Sequence, residues 1–190
     1  MVKKEKLDEE IVSLVVKGDK DLFGEIIHRY EAKMRRYARK FLFDSNHTDD
    51  LVQEIFIKTY VNLKSFDTTQ KFSPWIYRIA HNEFINALKK KLSYKIFSLD
   101  LDTFLPHPEA KETSDEKTEN TFTKEILDEH LFQIDSKYRE ALVLYFFEEM
   151  DYKEIASILG IPVSTVGVRI KRGKEKLKEL LLINKFTYDK

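Results

Sequence analysis

The stretch Tyr152-Lys153-Glu154-Ile155-Ala156-Ser157-Ile158-Leu159-Gly160-Ile161-Pro162-Val163-Ser164-Thr165-Val166-Gly167-Val168-Arg169-Ile170 carries the most specific local signal in the chain. Ile155, Ala156 and Leu159 fall on one face of a short helix. Gly160 can take the left-handed conformation that ends such a helix, and Pro162 presets the backbone entering a second one. Helix, tight turn and helix together read as a helix-turn-helix that runs on to Leu182. On the second helix Val166, Ile170 and Leu177 recur at steps of four and seven, so the opposite face carries Ser164, Val168, Lys171, Arg172 and Glu175. That outer face is the one a DNA major groove meets. Arg169, Lys174, Lys176 and Lys178 place cations along its flanks, suited to phosphates, while Lys171 and Arg172 are long enough to reach guanine edges. A basic helix alone usually just faces water; the preceding helix and turn are what favour DNA.

Outward from this element, composition bounds the rest. The 190 residues hold 33 Lys plus Arg against 33 Asp plus Glu, so the formal net charge is zero and any nucleic-acid argument rests on local charge. With no cysteine, a disulfide framework, a thiolate zinc site and a cysteine nucleophile are excluded. Met1 to Glu10 is charged without an apolar core, and no run of about eighteen apolar residues occurs, so a cytoplasmic location and no membrane partner are expected. His28, His47, His81, His107 and His130 are scattered, with no metal spacing, phosphate loop or nucleophile motif. No catalytic residue, metal, cofactor or small-molecule substrate is therefore expected.

The chain reads as all-α: two small helical domains joined by an acidic flexible linker. In the first domain, residues 1–97, three runs repeat at helical steps. They are Phe23, Ile26, Ile27, Tyr30, Met34, Tyr37 and Phe41; Leu51, Ile55, Phe56, Tyr60 and Leu63; and Trp75, Ile76, Ile79, Ala80, Phe84, Ile85 and Leu88. Asp49 suits the cap of the second helix and Pro74 the first turn of the third. Residues 98–121 are acidic and interrupted by Pro106 and Pro108. Residues 122–190 form the second domain, where Phe122, Ile126, Leu127 and Leu131, then Tyr138, Ala141, Leu142 and Tyr145, lead into the helix-turn-helix.

Two constellations mark the first domain. Around the third helix Lys71, Arg78, Lys89, Lys90, Lys91 and Lys95 stand against only Glu83, interleaved with Phe72, Trp75, Tyr77 and Phe84. Cations beside flat rings suit unstacked single-stranded bases. Aromatic residues at helical spacing also build cores, so Trp75 has both readings, whereas Tyr77, Arg78, His81 and Lys89 are the surface candidates. The second constellation is Asp49-Asp50-Leu51-Val52-Gln53-Glu54-Ile55-Phe56. It reads either as a capped helix start or as an acidic, partly apolar patch for a protein partner.

These residues resemble the extracytoplasmic-function sigma factors of bacterial RNA polymerase, from about Asp19 to Leu182. Asp50-Leu51-Val52-Gln53-Glu54 with Phe56 resembles the segment that docks on the largest polymerase subunit, which implies core-polymerase contacts at Asp49, Asp50, Leu51, Gln53, Glu54 and Phe56. Phe72, Trp75, Ile76, Ile79, Ala80 and Asn82 resemble the segment that recognises and melts the minus-ten element. The resemblance implies contacts there from Lys71, Trp75, Tyr77, Arg78, His81, Asn82, Asn86, Lys89 and Lys90, with Ser65 to Lys71 helping to form a base pocket. Asn86 and Lys89 stand where the family usually has Asp and Arg. Tyr138-Arg139 through Arg172 resembles the module that reads the minus-thirty-five element, implying contacts from Ser164, Thr165, Gly167, Val168, Arg169, Lys171, Arg172 and Lys174. Ser164 replaces a usual Gly, and Gly167 and Val168 occupy positions commonly basic and hydroxylic, so readout leans on Lys171 and Arg172. The implied partners are core RNA polymerase and promoter DNA, both duplex and melted. An anti-sigma protein is a common partner in the family. The linker is either a solvated tether or a segment whose charge imitates RNA. A stand-alone regulator built on the helix-turn-helix is the competing reading; it requires a dimer interface and a palindromic site.

Overall fold

The computed structural model describes residues 6–42, 48–97 and 127–188. Among them there are helices and turns but no strand. The acidic segment 98–121 lies outside the described residues, as do Phe122, Ile126, His47 and His107.

The first domain is built from α1 (Asp8–Val16), α2 (Phe23–Leu42), α3 (Thr48–Asn62) and α4 (Phe72–Phe97), with single turns of 3-10 helix at Lys20–Leu22 and Leu63–Ser65. The α2 run is buried as its spacing requires: Phe23, Ile26, Tyr30, Met34, Tyr37 and Phe41 all face the core. Phe84 of α4 meets the Tyr37 ring at 5.0 Å and Phe41 at 6.3 Å, an aromatic centre for the three long helices. The helix α1 is an addition to the sequence reading. Its Ile11, Val12 and Val15 are buried, its Asp8 accepts from Arg29 (2.7 Å) and Tyr30 (2.6 Å), and its Glu9 accepts the Phe72 N–H at 2.7 Å. That last bond satisfies one of the free donors at the start of α4.

Two local readings are corrected. Asp49 does not cap α3, which begins at Thr48; its carboxylate pairs instead with Arg35 of α2. Tyr60 is 40% exposed, its ring set edge-to-face with Phe23 at 5.0 Å between centres, because α3 buries Val52, Ile55, Phe56 and Thr59 rather than the stripe continuing through Tyr60.

The second domain comprises helical residues 127–133 (α5), α6 (Ser136–Phe146), α7 (Tyr152–Leu159) and α8 (Val163–Tyr188). Tyr138 through Leu144 are consecutively buried, including the charged Arg139 and Glu140. A helix buried all round needs neighbours on every side, and α6 packs on α7 and α8 and also on α2 of the first domain. The α7 helix in turn packs on α4, so one continuous core runs through both domains.

Candidate nucleic-acid interface

The helix-turn-helix is shaped by three local devices. Asp151 caps α7: its carboxylate accepts from the N–H groups of Lys153 (2.8 Å) and Glu154 (2.9 Å), while Glu154 accepts from the Asp151 N–H at 3.0 Å. These donors, the Glu154 N–H foremost, hold the Asp151 carboxyl below its ordinary value. Gly160 ends the helix in the left-handed region at φ 63°, donating to the Ala156 carbonyl. The Pro162 carbonyl then accepts from Thr165 (2.9 Å) and Val166 (3.2 Å), starting α8.

The second helix of the motif, α8, presents the face its spacing implies. Val166 and Ile170 are buried and Leu177 is half-buried, while Ser164, Val168, Lys171, Arg172, Lys174 and Glu175 are exposed. Thr165, Gly167 and Arg169 sit half-buried on the flanks. A Cβ built on Gly167 would lie 3.5 Å from the Tyr152 ring, so α7 leans over that glycine. Arg172 lies at the Tyr138 hydroxyl and holds that phenol below its ordinary value, and Lys174 sits 5.8 Å from the Phe146 ring centre. The exposed strip is cationic with an apolar spot at Val168, the combination that contacts phosphates, guanine edges and a thymine methyl.

The second surface is α4 with the loop before it. Asp67 pins that loop by accepting from the N–H (2.9 Å) and hydroxyl (2.8 Å) of Thr69. Phe66, Phe72 and Trp75 form a ring cluster with centres 5.2 to 5.7 Å apart. Phe72 is fully buried and Trp75 half-buried, so Trp75 packs on the core while keeping one part of its ring outside. Lys71, Arg78, Asn82, Asn86, Lys89 and Lys90 are exposed on the same helix and loop.

Tyr77 is a correction to the surface reading. It is 1% exposed, and its hydroxyl donates to Glu148 of the second domain at 2.5 Å; burial, then the Glu148 charge, raises its phenol far above the ordinary value. His81 is half-buried with Nδ1 2.6 Å from Glu140. Lys71 donates to Glu154 at 2.7 Å and Arg78 to the Ser157 carbonyl at 3.2 Å. A cleft of about 540 Å³ lies between Trp75 and Arg78 on one wall and Asp151 and Glu154 on the other. Glu140 and Glu148 escaped the sequence reading because nothing in their local pattern distinguishes them from solvated acids.

On α3, Asp49, Asp50 and Gln53 are exposed and Glu54 and Leu51 half-buried. Phe56 is buried, so its ring supports this patch from beneath. The same helix exposes Ile57 (57%) and Val61 (71%), apolar neighbours that the sequence reading left out. Among the described residues no group of His, Cys, Asp and Glu is arranged to hold a metal, and no helix is long and apolar enough to cross a membrane.

Residues 26–93 match the family model for Sigma-70 region 2, and residues 125–177 match that for Sigma-70, region 4. The ECF RNA polymerase sigma factor SigW of Bacillus subtilis (strain 168) is 36% identical over 182 residues, covering 90% of this chain and 94% of its own length. The ECF RNA polymerase sigma-E factor of Escherichia coli (strain K12) is 32% identical over 178 residues, covering 90% and 92%. The fold is similar to that of CnrH, solved in complex with the cytosolic domain of CnrY, at a TM-score of 0.67 and 24% identity over 92% of this chain and 96% of that one. With both sigma regions matched in order and relatives aligned along almost their full length, the chain belongs to the extracytoplasmic-function RNA polymerase sigma factors and is an alternative sigma factor directing transcription initiation.

Proposed function

We propose that residues 1–97 bind core RNA polymerase and open the minus-ten region, that 98–121 tether the domains, and that 122–190 read the minus-thirty-five element. The observation that carries this reading is the exposed strip Ser164, Val168, Lys171 and Arg172 on a capped helix-turn-helix, in one chain with an α4 surface of cations around Trp75. Core polymerase docks on Asp49, Asp50, Leu51, Gln53 and Glu54, with Phe56 beneath them. The melted strand contacts Lys71, Trp75, Arg78, His81, Asn82, Asn86, Lys89 and Lys90, stacking on the exposed part of Trp75. Captured bases offset part of the melting cost, a few kcal/mol per extruded base in order of magnitude. The chain catalyses no covalent step itself, and it acts in the cytoplasm where polymerase and DNA are.

An anti-sigma protein is the third partner in this reading. CnrH was solved with CnrY, and RpoE from Bartonella quintana with the anti-sigma factor NepR. The test of the whole reading is run-off transcription with sigma-free core polymerase on a library of promoter fragments. Specific starts that appear only when the chain is added support it. Duplex binding without core association or directed starts would instead return the chain to the class of stand-alone regulators.

A further inference from the structure

Helix α4 begins at Phe72, and the residue before it is Lys71. A lysine side chain holds no acceptor, so position 71 cannot cap the helix as Ser, Thr, Asp or Asn would, and its charge sits at the positive end of the helix dipole. Pro74 in the first turn has no N–H to satisfy. The Phe72 N–H does need a partner, and its acceptor comes from 63 residues away: Glu9 Oε1 of α1, at 2.7 Å. The same Glu9 carboxylate adds its charge to the larger influence of Glu154 in holding the Lys71 ammonium above its ordinary value.

Glu9 stands on a well-anchored element. Ile11, Val12 and Val15 of α1 are buried, and Asp8, next to Glu9, accepts from Arg29 and from the Tyr30 hydroxyl of α2. The Tyr30 ring in turn meets the Phe72 ring edge-on, with centres 5.5 Å apart. Phe72 is therefore held through its backbone by Glu9 and through its ring by Tyr30. Against that ring rest Phe66 at 5.4 Å and Trp75 at 5.7 Å between centres. The loop between Phe66 and Phe72 closes on itself at Asp67, whose carboxylate takes the Thr69 N–H and whose carbonyl takes the Gln70 N–H at 2.9 Å. The far end of the loop is tied to α1 at Phe72. Glu9 lies ahead of residues 26–93, the span that matches Sigma-70 region 2.

We infer that Glu9 is a positioning residue for minus-ten capture: from α1 it caps α4, and so sets the loop Ser65 to Lys71 and the Trp75 ring at the separation a captured base needs. The inference rests on the function proposed above, in which the melted strand stacks on Trp75. A binding constellation keeps its selectivity when its supporting residues hold it to within about 0.5 Å. Bringing the capping carboxylate from another helix also leaves position 71 to a cation, where a local cap would be acidic or neutral.

Trp75 is the chain's one tryptophan, so its emission reads the surroundings of that ring in the full protein. Glu9→Ala is expected to move the emission to longer wavelength and raise its quenching by acrylamide. Glu9→Gln keeps an acceptor oxygen and should leave both as in the parent. With holoenzyme, forked promoter DNAs recovered from the run-off library, carrying each of the four bases in turn at each minus-ten position, give the spread in affinity between best and worst base. Glu9→Ala should shrink that spread about fivefold, within the range for a residue acting through its neighbours, with affinity for core polymerase and for the upstream duplex unchanged. Glu9→Gln should keep the spread. Because the spread is a ratio, a smaller folded fraction alone does not alter it. A spread that Glu9→Ala leaves unchanged, or a weakening equal for all four bases, overturns the inference. If Trp75→Ala narrows the spread while Glu9→Ala does not, the strand reading stands and the role of Glu9 falls. If Trp75→Ala leaves the spread intact, the strand reading itself falls and takes the role of Glu9 with it.

Discussion

Two glycines of α8 face different neighbours, and replacing each measures what lies over it. A glycine inside a helix is about 0.5 to 1 kcal/mol less favourable than alanine. At Gly167 an added Cβ stands 3.5 Å from the Tyr152 ring, ordinary contact, so Gly167→Ala should recover about that amount and raise the melting temperature by roughly 2 °C for a chain of this size. At Gly173 the added Cβ stands 2.9 Å from Leu142 Cδ1 and 3.0 Å from its Cγ, and Leu142 is 1% exposed. Overpacking of about 1 to 3 kcal/mol then exceeds the helix gain, and Gly173→Ala should melt below the unsubstituted chain. Gly167→Lys carries the argument to DNA. Position 167 lies one turn from both Ser164 and Lys171, and a lysine stem can cross the Tyr152 ring to reach a phosphate. One added phosphate contact steepens the log–log salt dependence of duplex binding by about 0.9, so between about 50 and 200 mM salt the Lys variant should lose about 3.5-fold more affinity than its parent. Calorimetry and a salt titration on a promoter duplex read both effects. Gly167→Ala melting below its parent would refute the packing at Tyr152, and an unchanged salt slope in folded Gly167→Lys would refute the orientation of α8 on DNA.

Arg172→Ala should weaken binding to the upstream element by about 1 to 3 kcal/mol and relax base preference at one position; equal discrimination among substituted duplexes in a titration would contradict a base contact. Asp50→Lys reverses charge on the exposed acidic turn of α3 and should reduce co-purification with core polymerase without lowering the melting temperature, so normal recovery with core enzyme would count against that docking patch. Phe84→Ala empties the aromatic centre between Tyr37 and Phe41 and should cost about 3 to 5 kcal/mol in denaturant unfolding. A loss under about 1 kcal/mol would mean that α4 does not close the first domain's core.

Periodicity reveals an element when one face is buried and the other is wet. The α2 stripe meets that condition, and every turn of it sends a residue into the core as spaced. The outer face of α8 was legible for the same reason: once Val166 and Ile170 point inward, Lys171 and Arg172 must point outward. The short α1 carries only Ile11, Val12 and Val15 as buried signal behind a charged start, too little for a period to emerge. On α4 the pattern mixes rings and cations without separating them. Phe72, Tyr77 and Phe84 are buried and Trp75 lies between inside and outside, an outcome decided by neighbours from α1, α2 and the second domain. Tyr145 was read as inward and is 37% exposed, while Arg139, Glu140, Val143 and Leu144 are buried with the expected Ala141 and Leu142. A helix packed on opposite sides by two domains has no wet face from which a period could be read.

The balanced composition has a related physical origin. In a chain with equal numbers of acids and bases the long-range field is weak, yet a sigma factor must meet a polyanion at two places. The sequence separates the two requirements. On α8 the cations Lys171, Arg172 and Lys174 are exposed on the outer strip. On the first domain Arg36, Lys40 and Lys71 are paired with Glu148, Asp128 and Glu154, while Lys89 and Lys90 stay exposed on α4. Which cations have carboxylate partners across the interface is a relation between residues about a hundred positions apart that no window of sequence contains.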